Sequence, residues 1–185
     1  MKLSICASAV LFTLLVTPHV VAQNSDSQPR AEIKMIVGAS DFGVDNGSYP
    51  HLVVGAATRI RISHHWNIEP EFSYMRRSSN DEEYIFQPNV VYEFNSVGKR
   101  VVPYLIGGVG VIRHKSVFNG SDFVTGAPVT FDTSYTTWSA SAGAGLKVFL
   151  SKQLFVAPEA RVGHQPTTRA TVSIGYVFPV RGLRH

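Results

Sequence analysis

Cysteine is almost missing from this chain. The single one, Cys6, lies in an apolar N-terminal stretch, so neither disulfides nor thiolate metal sites can organise the remainder. Stability must come from the fold itself. Also missing is an apolar run of the roughly 20 residues that a spanning helix needs; the run from Leu3 to Val16 is shorter and carries Ser4, Ser8 and Thr13. Nor is there a block of like charge. The formal net charge of +4 arises from 17 Lys and Arg scattered among 13 Asp and Glu, with no basic run and no nucleic-acid-binding motif, which argues against a nucleic-acid partner.

What is present begins with an export signal. The segment "MKLSICASAVLFTLLVTPHVVAQN" combines Lys2, the apolar run, Pro18, and the small residues Val20 and Ala22 before Gln23, the pattern of a cleaved signal peptide over residues 1–22. Cys6 sits inside the apolar run, away from the cleavage point, and is expected to leave with the signal. Residues 23–30 read as a flexible polar lead-in, residues 31–179 as one domain, and residues 180–185 as a short tail.

That domain alternates. Trp138, Ala140, Ala142, Ala144, Leu146, Val148 and Leu150 interleave with Ser139, Ser141, Gly143, Gly145 and Lys147, and period two with unlike faces means a β-strand. The same reading covers "AEIKMIVGAS", "HLVVGAATRIRIS", "WNIEPEFSY", "EYIFQPNVVYEFN", "LFVAPEARVG" and "RATVSIGYVF", while "VVPYLIGGVGVIR" is apolar or glycine on both faces. Eight strands are predicted. Their connections are expected to alternate between short turns, around His64, Gly98 and Lys152, and longer loops, "DFGVDNGSYP", "RRSSNDEE", Lys115–Ser134 and "HQPTT".

Periodicity alone fits two solvents. A soluble lipocalin-like barrel would bury its apolar face and wet its polar one; a membrane barrel does the reverse. Three features favour the membrane. Strands near ten residues suit a bilayer span. Aromatics gather towards strand ends at Trp66, Tyr74, Tyr84, Phe94, Tyr104, Trp138, Tyr176 and Phe178, as interfacial girdles require. The polar face balances Glu32, Glu69, Glu71, Glu93 and Glu159 against Lys34, Arg59, Arg61, Lys147 and Arg161, and enclosed charges need partners. The expected fold is all-β: an eight-stranded antiparallel up-and-down transmembrane barrel whose lumen holds an ion-pair network of Arg59, Arg61, Glu69, Glu71, Glu93, Lys147, Glu159 and Arg161. A tight turn centred near His65 would set Arg61 opposite Glu69 and Arg59 opposite Glu71.

The segments "VPYLIGGVGV", "WSASAGAGLKVFL", "LFVAPEARVG" and "VSIGYVF" resemble the small outer-membrane β-barrel superfamily that includes the OmpA, OmpX and opacity-protein barrels. The resemblance implies location in a bacterial outer membrane, surrounding lipids and lipopolysaccharide as partners, and insertion by the outer-membrane assembly machinery. Phe178 is the candidate terminal aromatic for that insertion.

Function is expected to lie in the loops, because eight strands enclose room for side chains and little else. The reading is a structural, adhesion or surface-interaction protein without an open pore, with host or surface ligands approached through the loops. The candidate binding residues are the aromatics Phe118, Phe123 and Phe131 of the longest loop and the basic residues Arg76, Arg77, Arg113, Lys115 and Arg169 near the outer end, which suit lipopolysaccharide phosphates. One alternative is a lipid A deacylase. Its only His-x-Ser is His114 and Ser116, with no acid in sequence to orient His114, and His164 in "GHQPTT" departs from the deacylases' His-x-Ser-Asn. Another is a soluble periplasmic lipocalin-like binding protein. His64 and His65 make a turn pair without further ligands, so no metal and no cofactor are expected, and no catalytic residue is assigned.

Overall fold

A computed structural model describes residues 30–43, 50–78, 81–94, 99–121 and 127–179. The expected signal peptide, the lead-in through residue 29 and the tail lie outside these residues, while Arg30, expected in the lead-in, opens the first strand. So do Phe123 and the side chains of Arg77 and Phe118.

Eight strands follow in chain order: β1 Arg30–Asp41, β2 Pro50–Arg61, β3 Trp66–Ser78, β4 Asp81–Glu93, β5 Val101–Ser121, β6 Pro128–Phe149, β7 Leu154–His164 and β8 Thr168–Pro179. Each pairs antiparallel with its neighbour, and β8 returns to β1 through a ladder from Arg30↔Pro179 to Asp41↔Thr168, so the sheet closes. Closure leaves no free edge around the wall. The first and last strands begin and finish side by side at one end of the barrel.

The faces are inside out relative to a soluble protein. Ile33, Met35, Val37, Val54, Phe72, Phe86, Val109, Val162 and Ile174 stand exposed on the outside, a continuous apolar girdle that water would not tolerate and hydrocarbon would. Rings rim it. Trp66 and Tyr92 meet edge to face at 5.0 Å, Tyr92 and Phe94 at 5.0 Å, and Tyr176 and Phe178 at 4.8 Å near the end where the chain termini lie, with Tyr74 and Tyr84 at 5.2 Å towards the other. Tyr104 departs from the expected girdle. It points inward, is 1% exposed, and donates its hydroxyl proton to Glu159 Oε2 at 2.8 Å. The doubly apolar β5 had left its face undecided.

The lumen is built from charge. Lys147 Nζ lies 2.8 Å from Glu32 and 2.5 Å from Glu93; Arg59 binds Glu93 at 2.8 Å and Glu69 at 2.6 Å. Lys34 continues the chain to Glu69 at 2.7 Å. Arg161 joins Glu159 at 2.6 Å and Glu71 at 2.7 Å, and Arg169 closes on Glu71 at 2.6 Å. Every one of these side chains is almost wholly buried. Such a chain holds because Glu69, Glu71, Glu93 and Glu159 each touch more than one cation, which offsets the desolvation that a lone pair would not.

Two corrections follow from the ladders. The β2–β3 turn centres on His64, one residue earlier than expected, since Ile60 faces Ile68 and Arg61 faces Asn67. Arg59 is therefore bonded to Glu69, and Arg61 reaches Glu93 instead at 3.1 Å. Moving the centre by one residue shifts the pairing by two, so every side chain keeps its face and the pattern cannot reveal the error. Two of the expected long loops, "RRSSNDEE" and Lys115–Ser134, are also mostly strand. Residues 79–80 alone join β3 to β4, residues 165–167 join β7 to β8, and most of Lys115–Ser134 is ladder from Lys115↔Ser134 to Ser121↔Pro128.

The Arg59–Glu69 pair can be tested directly. Arg59→Ala or Glu69→Ala is expected to destabilise the barrel by about 3 to 5 kcal/mol in detergent urea unfolding, with the double variant recovering part of the loss. Additive, salt-sensitive losses of about 1 kcal/mol or less would mean that the pair is exposed to water.

Candidate functional site

β5 and β6 run 21 and 22 residues, against 11 to 13 for the other strands. The excess projects beyond the wall. On one side β4 follows β5 only as far as Asp81↔Ser116, and on the other β7 follows β6 only as far as Ala140↔His164. Beyond those points the hairpin is held by its own rungs, including Phe118↔Phe131. Its residues alternate poorly because both faces of a free-standing ribbon meet the same solvent. That is why the stretch reads as loop in sequence.

The candidate residues divide three ways. Arg113 and Lys115 are exposed on the outer face of the β5 stem, where they line a pocket with Tyr84, Asp132 and Ser134. Arg76 is exposed on the same outer face and stands opposite Glu82, which in turn stands opposite Lys115. Phe131 is 59% exposed on the hairpin. Arg169 does not join this group: it is turned into the lumen, 6% exposed, and bound to Glu71. Its position in the alternation of β8, in step with Thr171 and Ser173, places it on the inward face. Arg77 belongs to β3, but its side chain lies outside the described residues, as do Phe123 and the side chain of Phe118. The lumen residues come together as described above, with Arg169 as an addition to the network.

A second polar group, which sequence reasoning missed, occupies the mouth of the lumen at this end. His51 Nε2 lies 3.4 Å from Glu83 Oε1 and 3.6 Å from Asp81 Oδ2, while His114 Nδ1 lies 3.6 Å from the same Glu83 oxygen. His114 Nε2 is 3.3 Å from Gln165 Oε1. The ring of Phe42 meets His51 edge-on at 4.7 Å, and Tyr135 stacks on His114 at 4.7 Å. Glu83 is thus the acid that the sequence could not place beside His114. The signal was present as inward parity, since His51, Glu83 and His114 each continue the inward face of their strands. No local motif marks it.

Beneath this group the lumen turns apolar. Val53, Met75, Ile85 and Ile112 form one buried cluster capped by Phe42. It lies one inward step along the strands from His51, Glu83 and His114, and so separates the mouth from the ionic network below.

No curated protein matches the sequence significantly. Solved structures share the fold. The N-terminal β-barrel domain of Pseudomonas aeruginosa OprF aligns with a TM-score of 0.61 at 15% identity, over 83% of this chain and 100% of that one. Ail of Yersinia pestis, the attachment invasion locus protein, solved with the heparin analogue sucrose octasulfate, aligns with a TM-score of 0.57 at 16% identity, over 82% of this chain and 100% of that one. Neisserial surface protein A gives 0.53 at 15% identity, over 82% and 95%. The sequence itself matches the model of the outer membrane protein beta-barrel domain across residues 7–180. The chain, with its closed barrel and outward apolar girdle, therefore belongs to the outer membrane protein beta-barrel domain family and is a protein of the bacterial outer membrane.

Proposed function

We propose that this barrel is a non-enzymatic binding protein of the cell surface, engaging anionic saccharides or lipid phosphates through the β5–β6 hairpin and the basic face at its stem. The observation that carries the reading is the hairpin itself. A strand pair far longer than its neighbours costs backbone entropy and adds nothing to the wall. It presents Arg113, Lys115 and Phe131 outside the barrel, with Tyr84 of β4 beside the two cations, and guanidinium and ammonium groups beside aromatic rings suit phosphate or sulfate on a sugar. The fold neighbour solved with a sulfated heparin analogue is in keeping with this chemistry. The hairpin end would face outwards.

A conducting function is not favoured. Glu69, Glu71, Glu93, Lys147 and Arg161 cross the lumen in contact with one another and are 0–3% exposed. Below the mouth, Val53, Met75, Ile85 and Ile112 add an apolar layer that an ion would have to displace.

The deacylase alternative is likewise weaker. His114 and Glu83 supply a base and its orienting acid, but both turn into the lumen, away from the lipid face where an acyl chain would lie. His114 Nε2, the atom that takes a serine proton in such a triad, is engaged by Gln165.

Three outcomes are expected. Arg113→Ala with Lys115→Ala should weaken binding of immobilised heparin or of lipopolysaccharide vesicles by about tenfold at low salt and less at high salt. Loss on heparin alone would identify a host-type sulfated ligand, loss on vesicles alone a lipid phosphate, and no loss on either would remove the stem from the binding surface. Planar bilayers containing the folded protein should show no steady channel; discrete openings that persist in Arg59→Ala would overturn the closed lumen. Lipid A from cells expressing the protein should keep all its acyl chains by mass spectrometry, and a deacylated species abolished by His114→Ala would establish the enzyme instead.

A further inference from the structure

We infer that the mouth of the barrel is a binding site for a divalent transition-metal ion of the zinc class, held by His51, Glu83 and Asp81, with Asp81 at the solvent side. The donor atoms are spaced for it. Ligands about 2.0 to 2.2 Å from a tetrahedral zinc stand roughly 3.3 to 3.5 Å from one another, and His51 Nε2 lies 3.4 Å from Glu83 Oε1 and 3.6 Å from Asp81 Oδ2. Direct hydrogen bonds between such groups would instead sit near 2.9 Å. The carboxylate is shared: one oxygen of Glu83 faces both imidazoles, and the donor atoms of His51, Asp81 and Glu83 all fall within 4.8 Å of one another.

A further observation points to a cation at this place. Glu83 is 3% exposed, yet its second oxygen, Oε2, has no hydrogen-bond partner among the described residues. A buried carboxylate oxygen left in that state is costly unless a cation or a proton meets it.

The surroundings fit as well. The lumen cations Arg161 and Arg169 are engaged by Glu71 and Glu159, and the apolar layer of Val53, Met75, Ile85 and Ile112 separates the mouth from them. The carboxylates of Glu83 and Asp81 with a neutral His51 imidazole carry a formal charge of −2, which one divalent ion neutralises. Asp81, 34% exposed at its side chain, gives the ion a way in from solvent. Imidazole ligands select zinc, cobalt or nickel over calcium and magnesium, which prefer oxygen alone. Bound metal would tie β2 to β4 beneath the root of the hairpin.

The test uses the full, tag-free protein, stripped with chelator and folded in detergent. Calorimetric titration with zinc chloride should give one site per barrel, with calcium and magnesium chloride giving none. Cobalt chloride should produce the intense visible absorption of a tetrahedral or five-coordinate centre. His51→Gln and Glu83→Gln should each weaken zinc binding by more than about tenfold and abolish the cobalt bands, while His64→Ala with His65→Ala should leave both intact. Should either lumen variant fail to fold, as judged by loss of the faster-migrating unboiled band, Asp81→Asn, at a partly exposed ligand, serves: affinity should fall about tenfold with folding retained. Zinc binding unchanged in His51→Gln and lost with His64 and His65 would assign it to the exposed turn and overturn the proposal, as would an absence of zinc binding in the folded wild-type protein.

Discussion

The structure depends on one constraint: a sheet closed on itself, with hydrocarbon outside, leaves its second face nowhere to find bulk water. Charge on that face must be answered by charge. Glu93 is met by Lys147, Arg59 and Arg61, Glu71 by Arg161 and Arg169, and Glu69 by Lys34 and Arg59. These contacts join strands far apart in the wall, such as β3 to β7 and β4 to β6. They do what an apolar core does in a soluble domain, but with partners that must be matched one by one. Arg169 belongs to this logic. A cation that seems free at the end of a strand is drawn inward because Glu71 accepts two guanidinium groups.

Small residues make that packing possible. Where long side chains cross the lumen, the strand facing them carries glycine: a Cβ on Gly175 would run into the ring of Phe155, and one on Gly145 into the ring of Tyr104. The glycines of β6 and β8 are thus the space into which the inward aromatics fit. Tyr104 in turn supports the network, with the Arg59 guanidinium carbon 4.6 Å from its ring centre and its hydroxyl on Glu159. Cation, ring and carboxylate form one packed unit.

Along its axis the lumen has three layers of different chemistry. The ionic network fills the part nearer the chain termini, an apolar layer around Met75 and Ile112 follows, and the histidine–carboxylate group lies at the mouth. The apolar layer excludes water and charge, so the mouth is electrostatically separate from the network below. Above it the β5–β6 hairpin leaves the wall. An interaction surface on that hairpin is thereby attached to the rigid part of the barrel through continuous strand, and Tyr135 stacked on His114 links the hairpin's root to the mouth.

Alternation by itself determined a great deal: eight strands, which residues of each point inward, and the identity of nearly all the network. A period of two is set by the pleat of the backbone and survives whatever surrounds it. It also explains the failures. Pairing Arg59 with Glu69 rather than Glu71 depends on whether the turn centres on His64 or His65, and either choice preserves every face. The length of β5 and β6 was hidden because a ribbon wet on both sides needs no alternation, so only the hydrogen-bonded rungs from Lys115↔Ser134 onward reveal it as strand. The mouth was hidden for another reason. His51, Glu83 and His114 come from three strands and are separated by about thirty residues each in sequence; only closure and register bring their side chains to one height. Outside β5 and the end of β8, sequence decided which way the wall residues face, and tertiary structure decided which residues meet.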